Sequence, residues 1–187
     1  MTTIIAPVTL TDSQKSIIYY EIFGKEFAWY RQRESTINIS VDPRLQGTAV
    51  NTPFFAHTLM ERHENSGVGD GNISSKLYPM FHAIFNTWMT EQNIPYTYVF
   101  RACINLTYSQ SANYSVPHVD HEWPHSNWIM YLNTLDDACT VLFNEDYSVE
   151  CEIPCKMFTA VSFPEKLHAQ KFPKGTDQRI VVVFTYR

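Results

Sequence analysis

Apolar residues fall at helical spacing in two places along the chain. Leu77, Met80, Phe81, Ile84, Phe85 and Trp88 stand at i, i+3, i+4, i+7, i+8 and i+11. That spacing predicts an amphipathic helix, opening after Ser74 and Ser75, with one face buried against something large. A shorter helix is predicted where Thr11 and Gln14 have the spacing of a capping box and Ile17, Ile18, Ile22 and Phe23 follow before Gly24. Between the two helices, residues 64–75 hold Gly67, Gly69 and Gly71, half of the six glycines, and read as a flexible loop. No Lys-Ser/Thr pair and no strand-to-helix context follows, so these glycines do not make a phosphate loop.

From Tyr96 onward the period changes. Residues 98–108, 127–133, 140–143, 157–163, 167–172 and 179–186 are rich in β-branched and aromatic side chains, with polar, Pro, Asp or Asn breaks between them. Six short strands at this spacing predict a sandwich or jelly roll. The expected fold is α+β: N-terminal supporting helices packed on a C-terminal double-stranded β-helix of the jelly-roll, cupin-like kind. One domain of 187 residues is expected, with 1–95 as mainly helical support and substrate-side region and 96–187 as the core.

Composition fits this reading. The chain is 44% hydrophobic, 14% aromatic and only 18% charged, which suits a packed core rather than a disordered tail. Apolar runs such as 180–184 are far short of the roughly 20 residues that span a bilayer, and the first ten residues show no secretory pattern. A cytoplasmic protein with no membrane partner is expected. A net charge of −5 gives no electrostatic basis for gripping nucleic acid. Cys103, Cys139, Cys151 and Cys155 are expected as reduced, mostly buried thiols.

Candidate chemistry begins at His118-Val119-Asp120. On an extended backbone, residues i and i+2 share a face, so the imidazole and the carboxylate can converge on one ion. His168 follows 50 residues later on a predicted strand, and Arg179 stands 11 residues beyond it at the head of the next. Two His and one carboxylate are the facial triad of non-haem Fe(II) oxygenases, which leaves positions open for cosubstrate and O₂. An arginine nearby can clamp a carboxylate bidentately. Glu122 is not taken as the metal carboxylate, because four residues of extended strand put it about 13 Å along from His118, too far to share one ion.

In these residues the chain resembles the Fe(II)- and 2-oxoglutarate-dependent dioxygenases, and within them the prolyl 4-hydroxylase-like branch. The resemblance covers about 98–187. It rests on Tyr108 and Tyr114 before Pro117-His118-Val119-Asp120, then Ile129-Met130-Tyr131-Leu132-Asn133, Thr140-Val141-Leu142-Phe143, Ala160-Val161-Ser162-Phe163-Pro164, His168, and Arg179-Ile180-Val181-Val182-Val183-Phe184 in the family's order. It implies that His118, Asp120 and His168 are the catalytic metal ligands and that Arg179 pairs with the distal carboxylate of 2-oxoglutarate. Tyr131 is implied to assist Arg179, and Tyr108 to line the same pocket. The implied cofactors are Fe(II), 2-oxoglutarate as cosubstrate and O₂, with ascorbate as reductant. The implied reaction is hydroxylation of an amino-acid side chain, free or in a peptide, with release of succinate and CO₂. Asp136-Asp137-Ala138 stands where relatives often have a Gly-Gly pair.

His121 and His125 flank Trp123 directly after the motif. Loops beside sites commonly carry recognition residues, so Trp123 is expected to face the substrate and to flank the mouth with residues 64–75. Arg101 is expected as an ion-pair or surface residue. Two competing classes remain at this stage: a non-catalytic cupin-like module with a structural metal or ligand, and a metal-only cupin enzyme without 2-oxoglutarate. An intact clamp at Arg179 argues against the first, and the second usually asks for more histidines.

Overall fold

The computed structural model describes residues 2–33, 49–50, 53–62 and 71–187. In chain order its elements are β1 (Ile4–Pro7), α1 (Asp12–Ile17) continued by a π-helical turn (Ile18–Ile22), β2 (Tyr30–Gln32), β3 (Ala49–Val50), β4 (Phe54–Glu61), β5 (Asn72–Ile73) and α2 (Tyr78–Glu91). There follow β6 (Val99–Tyr108), β7 (Tyr114–Ser115), β8 (Ser126–Tyr131), β9 (Leu135–Phe143), β10 (Val149–Cys155), β11 (Thr159–Pro164), β12 (His168–Lys171) and β13 (Gln178–Tyr186).

The strands form two facing sheets. The larger has the order β1-β11-β8-β13-β6-β4-β2, with β5 paired to β4, and the smaller has the order β10-β9-β12-β7-β3. Alternation along β13 shows how the layers are built. Ile180, Val182 and Phe184 face the helix side, in one core with Phe81, Ile84, Phe85 and Trp88 of α2 and with Trp128 and Met130 of β8. Val181 points the other way, into the core between the sheets with Ile129, Leu142, Val161 and Phe163. Phe85 anchors the outer layer, its ring stacked on Phe184 at 4.8 Å and edge-on to Trp128 at 5.4 Å. The double-stranded β-helix expected from the strand pattern is therefore present, and α2 buries the face its periodicity predicts.

Thr11 caps α1 as expected: its hydroxyl accepts from the Gln14 N–H at 3.2 Å, and the Gln14 side chain accepts from the Thr11 N–H at 2.8 Å. The N-terminal half is less helical than its patterning suggests, since β1, β2 and β4 all join the large sheet. Of the Gly-rich segment, residues 64–70 lie outside the described residues. Gly71 is packed hard, because a Cβ there would sit 2.0 Å from the Glu61 carbonyl oxygen and 2.9 Å from that of Phe100. Asp136, Asp137 and Ala138 belong to β9 rather than to a loop, and the Asp137 carboxylate accepts the Lys174 N–H at 3.1 Å. All four thiols are free, with Cys103, Cys139 and Cys155 buried. Among the described residues no helix is long and apolar enough to cross a membrane.

Candidate active site

His118 lies just before the turn that carries Asp120, and His168 opens β12. The two histidines exchange backbone hydrogen bonds, each N–H donating to the other's carbonyl at 3.0 Å. Their rings consequently stand 4.7 Å apart between centroids. Asp120 completes the group: Oδ2 is 3.3 Å from His168 Nε2, and one potential ligand atom from each residue falls within 4.8 Å of the others.

Backbone carbonyls fix which ring nitrogens point inward. His118 Nδ1 lies 3.0 Å from the Val116 carbonyl and His168 Nδ1 lies 3.0 Å from the Lys166 carbonyl. A carbonyl can only accept, so both Nδ1 atoms carry the proton and both Nε2 atoms are left for the centre. This is the outer hydrogen bonding that orients histidine ligands at metal sites. Electrostatics agree. Burial, followed by the positive charge of His168, lowers His118 below the ordinary histidine range. Burial would also lower His168, but its hydrogen bond to Asp120 and the Asp120 charge outweigh burial and raise it. Burial would raise Asp120; the His168 hydrogen bond and the charges of His168, His118 and Arg101 win and hold the carboxyl well below its usual range. His118 offers a neutral Nε2, and a divalent cation would displace the proton that His168 Nε2 shares with the ionised Asp120 carboxylate, so the three groups fit such a cation.

The triad lines a cavity of about 90 Å³ between the sheets, and Arg179 lines it too. Arg179 reaches across from β13 and is only 4% exposed. Its Nη2 donates to Thr140 Oγ1 at 2.8 Å and its Nη1 to Gln170 Oε1 at 3.3 Å, while Nε is buried without a partner. Thr140 and Gln170 sit directly opposite each other in the β9–β12 register, so they present paired acceptors to the guanidinium. Neither is charged, and among the described residues no carboxylate neutralises Arg179. A buried cation without a counter-ion is costly, so this arrangement has the chemistry to accept an anion.

The other expected site residues fall differently. The Tyr131 hydroxyl donates to Thr140 Oγ1 at 2.8 Å, and the Arg179 guanidinium carbon lies 5.6 Å from the centre of its ring. Tyr131 therefore braces Thr140, the acceptor of Arg179, and is not part of the cavity wall. Burial, the largest influence, pushes its hydroxyl up to about 12. Tyr108 does not line the pocket: it is 40% exposed at the end of β6, against Phe55. Inward-facing Asn105 lines that wall instead, its carbonyl oxygen buried and unpaired. Trp123 stays out of the cavity as well, stacked on His121 at 4.9 Å and edge-on to Phe100 at 6.2 Å. Arg101 forms the expected ion pair, with Asp120 at 3.9 Å, but it also lines the pocket. Sequence reasoning missed Thr140, Gln170 and Asn105, for which only inward parity on their strands gave a signal.

No family profile matches the chain, and no curated protein matches it in sequence. Solved structures do match in shape. An oxidoreductase of the 2OG-Fe(II) oxygenase family from Burkholderia pseudomallei aligns at TM-score 0.66 and 11% identity, over 98% of this chain and 84% of its own. The viral collagen prolyl hydroxylase of Paramecium Bursaria Chlorella virus-1, as its 2OG complex, aligns at TM-score 0.57 and 13% identity, over 100% and 96%. A prolyl hydroxylase from Trichoplax adhaerens, in complex with a hypoxia inducible factor peptide fragment, aligns at TM-score 0.61 and 8% identity, over 98% and 82%. With its two facing sheets, helical buttress and the pocket lined by both sheets, the chain has the double-stranded β-helix fold of the 2OG-Fe(II) oxygenases.

Proposed function

We propose that the protein is an Fe(II)- and 2-oxoglutarate-dependent dioxygenase that hydroxylates an amino-acid side chain, prolyl-like, free or peptidyl, releasing succinate and CO₂. One observation carries this reading. A buried guanidinium that no described carboxylate pairs with shares a small cavity with a converging His-Asp-His group. A structural metal site has no use for such a cation.

His118, Asp120 and His168 would hold the iron, and Arg179 the distal carboxylate of 2-oxoglutarate. Bound Fe(II) supplies O₂ activation coupled to oxidative decarboxylation of the cosubstrate. The chain's own residues do the rest. Val116 and Lys166 carbonyls hold the imidazoles in the ligating tautomer. Thr140 and Gln170 aim the guanidinium, and Tyr131 holds Thr140 in place. The apolar lining residues Phe54, Ile129, Val181 and Val183 keep water from the reacting end of the substrate.

The test is succinate formation from 2-oxoglutarate under Fe(II), against prolyl peptides and free amino acids. Substrate-stimulated succinate formation, lost in Asp120→Ala, is expected. No 2-oxoglutarate binding to the metal-loaded protein would overturn the proposal.

A further inference from the structure

Arg101 lies on β6, opposite Thr185 of β13, and its side chain lines the same pocket as the triad. Its only charged partner among the described residues is Asp120 Oδ1 at 3.9 Å, the outer limit of an ion pair. None of its five N–H groups makes a hydrogen bond to another described residue. The side chain is 26% exposed against 11% for Asp120, so it is the more accessible partner of the pair.

A second cation crowds the same place. Arg62 Nη2 donates to the Asp120 backbone carbonyl at 3.1 Å. Among the described residues Asp120 is the carboxylate placed against both, and it is already engaged by His168. Like charges held close together repel, and an anion beside them relieves that repulsion.

We propose that Arg101 recognises a carboxylate carried by the substrate. This deepens the function proposed above and rests on it. Two guanidinium groups on different strands face one cavity, Arg179 nearly sealed and Arg101 more open, which suits one anion each. The 3.9 Å spacing to Asp120 puts an anion on Arg101 beside the triad, within a few bonds of the carbon that reacts. An internal peptide residue has an amide at that distance. The substrate class is therefore a free amino acid or small organic acid, or a residue at a chain's C-terminus.

The test uses the full chain loaded with Mn(II) and titrated calorimetrically with 2-oxoglutarate, then with each proteinogenic L-amino acid and its carboxamide. At least one acid should bind, with its amide weaker by about tenfold or more, as expected for loss of a charge-assisted pair. Arg101→Gln should bring that acid to the level of its amide, and Arg101→Lys should restore part of the difference, which a merely misfolded variant would not. The affinity of Arg101→Gln for 2-oxoglutarate should stay within about threefold of the parent, well under the tenfold that 1.4 kcal/mol represents.

The proposal is overturned if no acid binds, if acid and amide bind alike, or if the preference survives in Arg101→Gln. It is also overturned if Arg101→Gln weakens 2-oxoglutarate as much as the acid, which assigns the arginine to the cosubstrate. Blocked tripeptides with an internal Asp or Glu that bind through Arg101 where free acids do not would move the anion to a remote side chain and overturn it as well. Failure of the parent to bind 2-oxoglutarate in the first titration would instead sink the oxygenase reading itself.

Discussion

His118 and His168 donate to each other's backbone carbonyls at 3.0 Å, so main-chain geometry sets the two imidazoles side by side. Removing one member of the triad should therefore weaken a divalent ion without unfolding the chain. Asp120→Ala and His168→Ala should each lose about 100-fold or more in Mn(II) affinity, more than the 10–100-fold typical of changes one shell further out. Calorimetry with Mn(II), beside a thermal melt of the metal-free protein, checks both halves of this expectation.

Arg179 gives a separable outcome. Arg179→Gln leaves the triad in place but removes the cation, and breaking a buried charge pair costs about 3–5 kcal/mol. The 2-oxoglutarate Kd should rise by two orders of magnitude or more while Mn(II) binding holds. Because a ligand that binds only the folded state stabilises it, 2-oxoglutarate should raise the parent's Tm and not the variant's.

Acid stability tests His121. Burial and then the Arg62 charge push it down to about 3, against an unfolded value near 6.5. Between those values the unfolded chain binds a proton that the folded chain refuses, so stability is full above about pH 6.5 and falls as pH drops toward 3. The slope from one such proton is at most about 1.4 kcal/mol per pH unit. In His121→Gln, the urea midpoint should fall less between pH 7 and pH 5 than it does in the parent. Equal falls would show that His121 titrates normally.

Gly71 tests the close approach of β4, β5 and β6. A methyl group there meets two backbone carbonyls that cannot swing aside. Gly71→Ala should cost about 1–3 kcal/mol, the range for overpacking, read as a lower denaturation midpoint. A neutral result would mean the strands separate easily at that point.

Legibility from sequence followed the strength of local pattern. The six apolar positions of α2 repeat at one period and could be read directly, as could strands such as β13 whose β-branched run is nearly unbroken. β10 was not legible: it is an edge strand, Glu150, Glu152 and Pro154 interrupt it, and only Ile153 and Cys155 are fully buried. β4 was missed because its company, a helix on either side in sequence, suggested support rather than sheet. The same contrast holds at the site. His118 and Asp120 announce themselves by spacing and by chemistry rare in a strand. Thr140 and Gln170 are ordinary polar residues whose role exists only once β9 and β12 are in register and Arg179 arrives from the other sheet. Trp123 was misplaced because adjacency to a ligand in sequence does not decide which way a loop side chain turns. Here stacking on His121 and packing against Phe100 decided it.

The position of β13 bears on how the chain assembles. It is last of the strands in sequence, yet it lies between β8 and β6, bonded to both along most of its length. Until it inserts, the large sheet is two separate pieces with unpaired inner edges, and Arg179 has not yet reached the cavity. Closure of the sheet and delivery of the guanidinium are then one event, built on contacts distant in sequence, which is the arrangement that folds slowly. Chains cut short of residue 178 should accumulate as sticky intermediates with exposed edges rather than as smaller functional proteins.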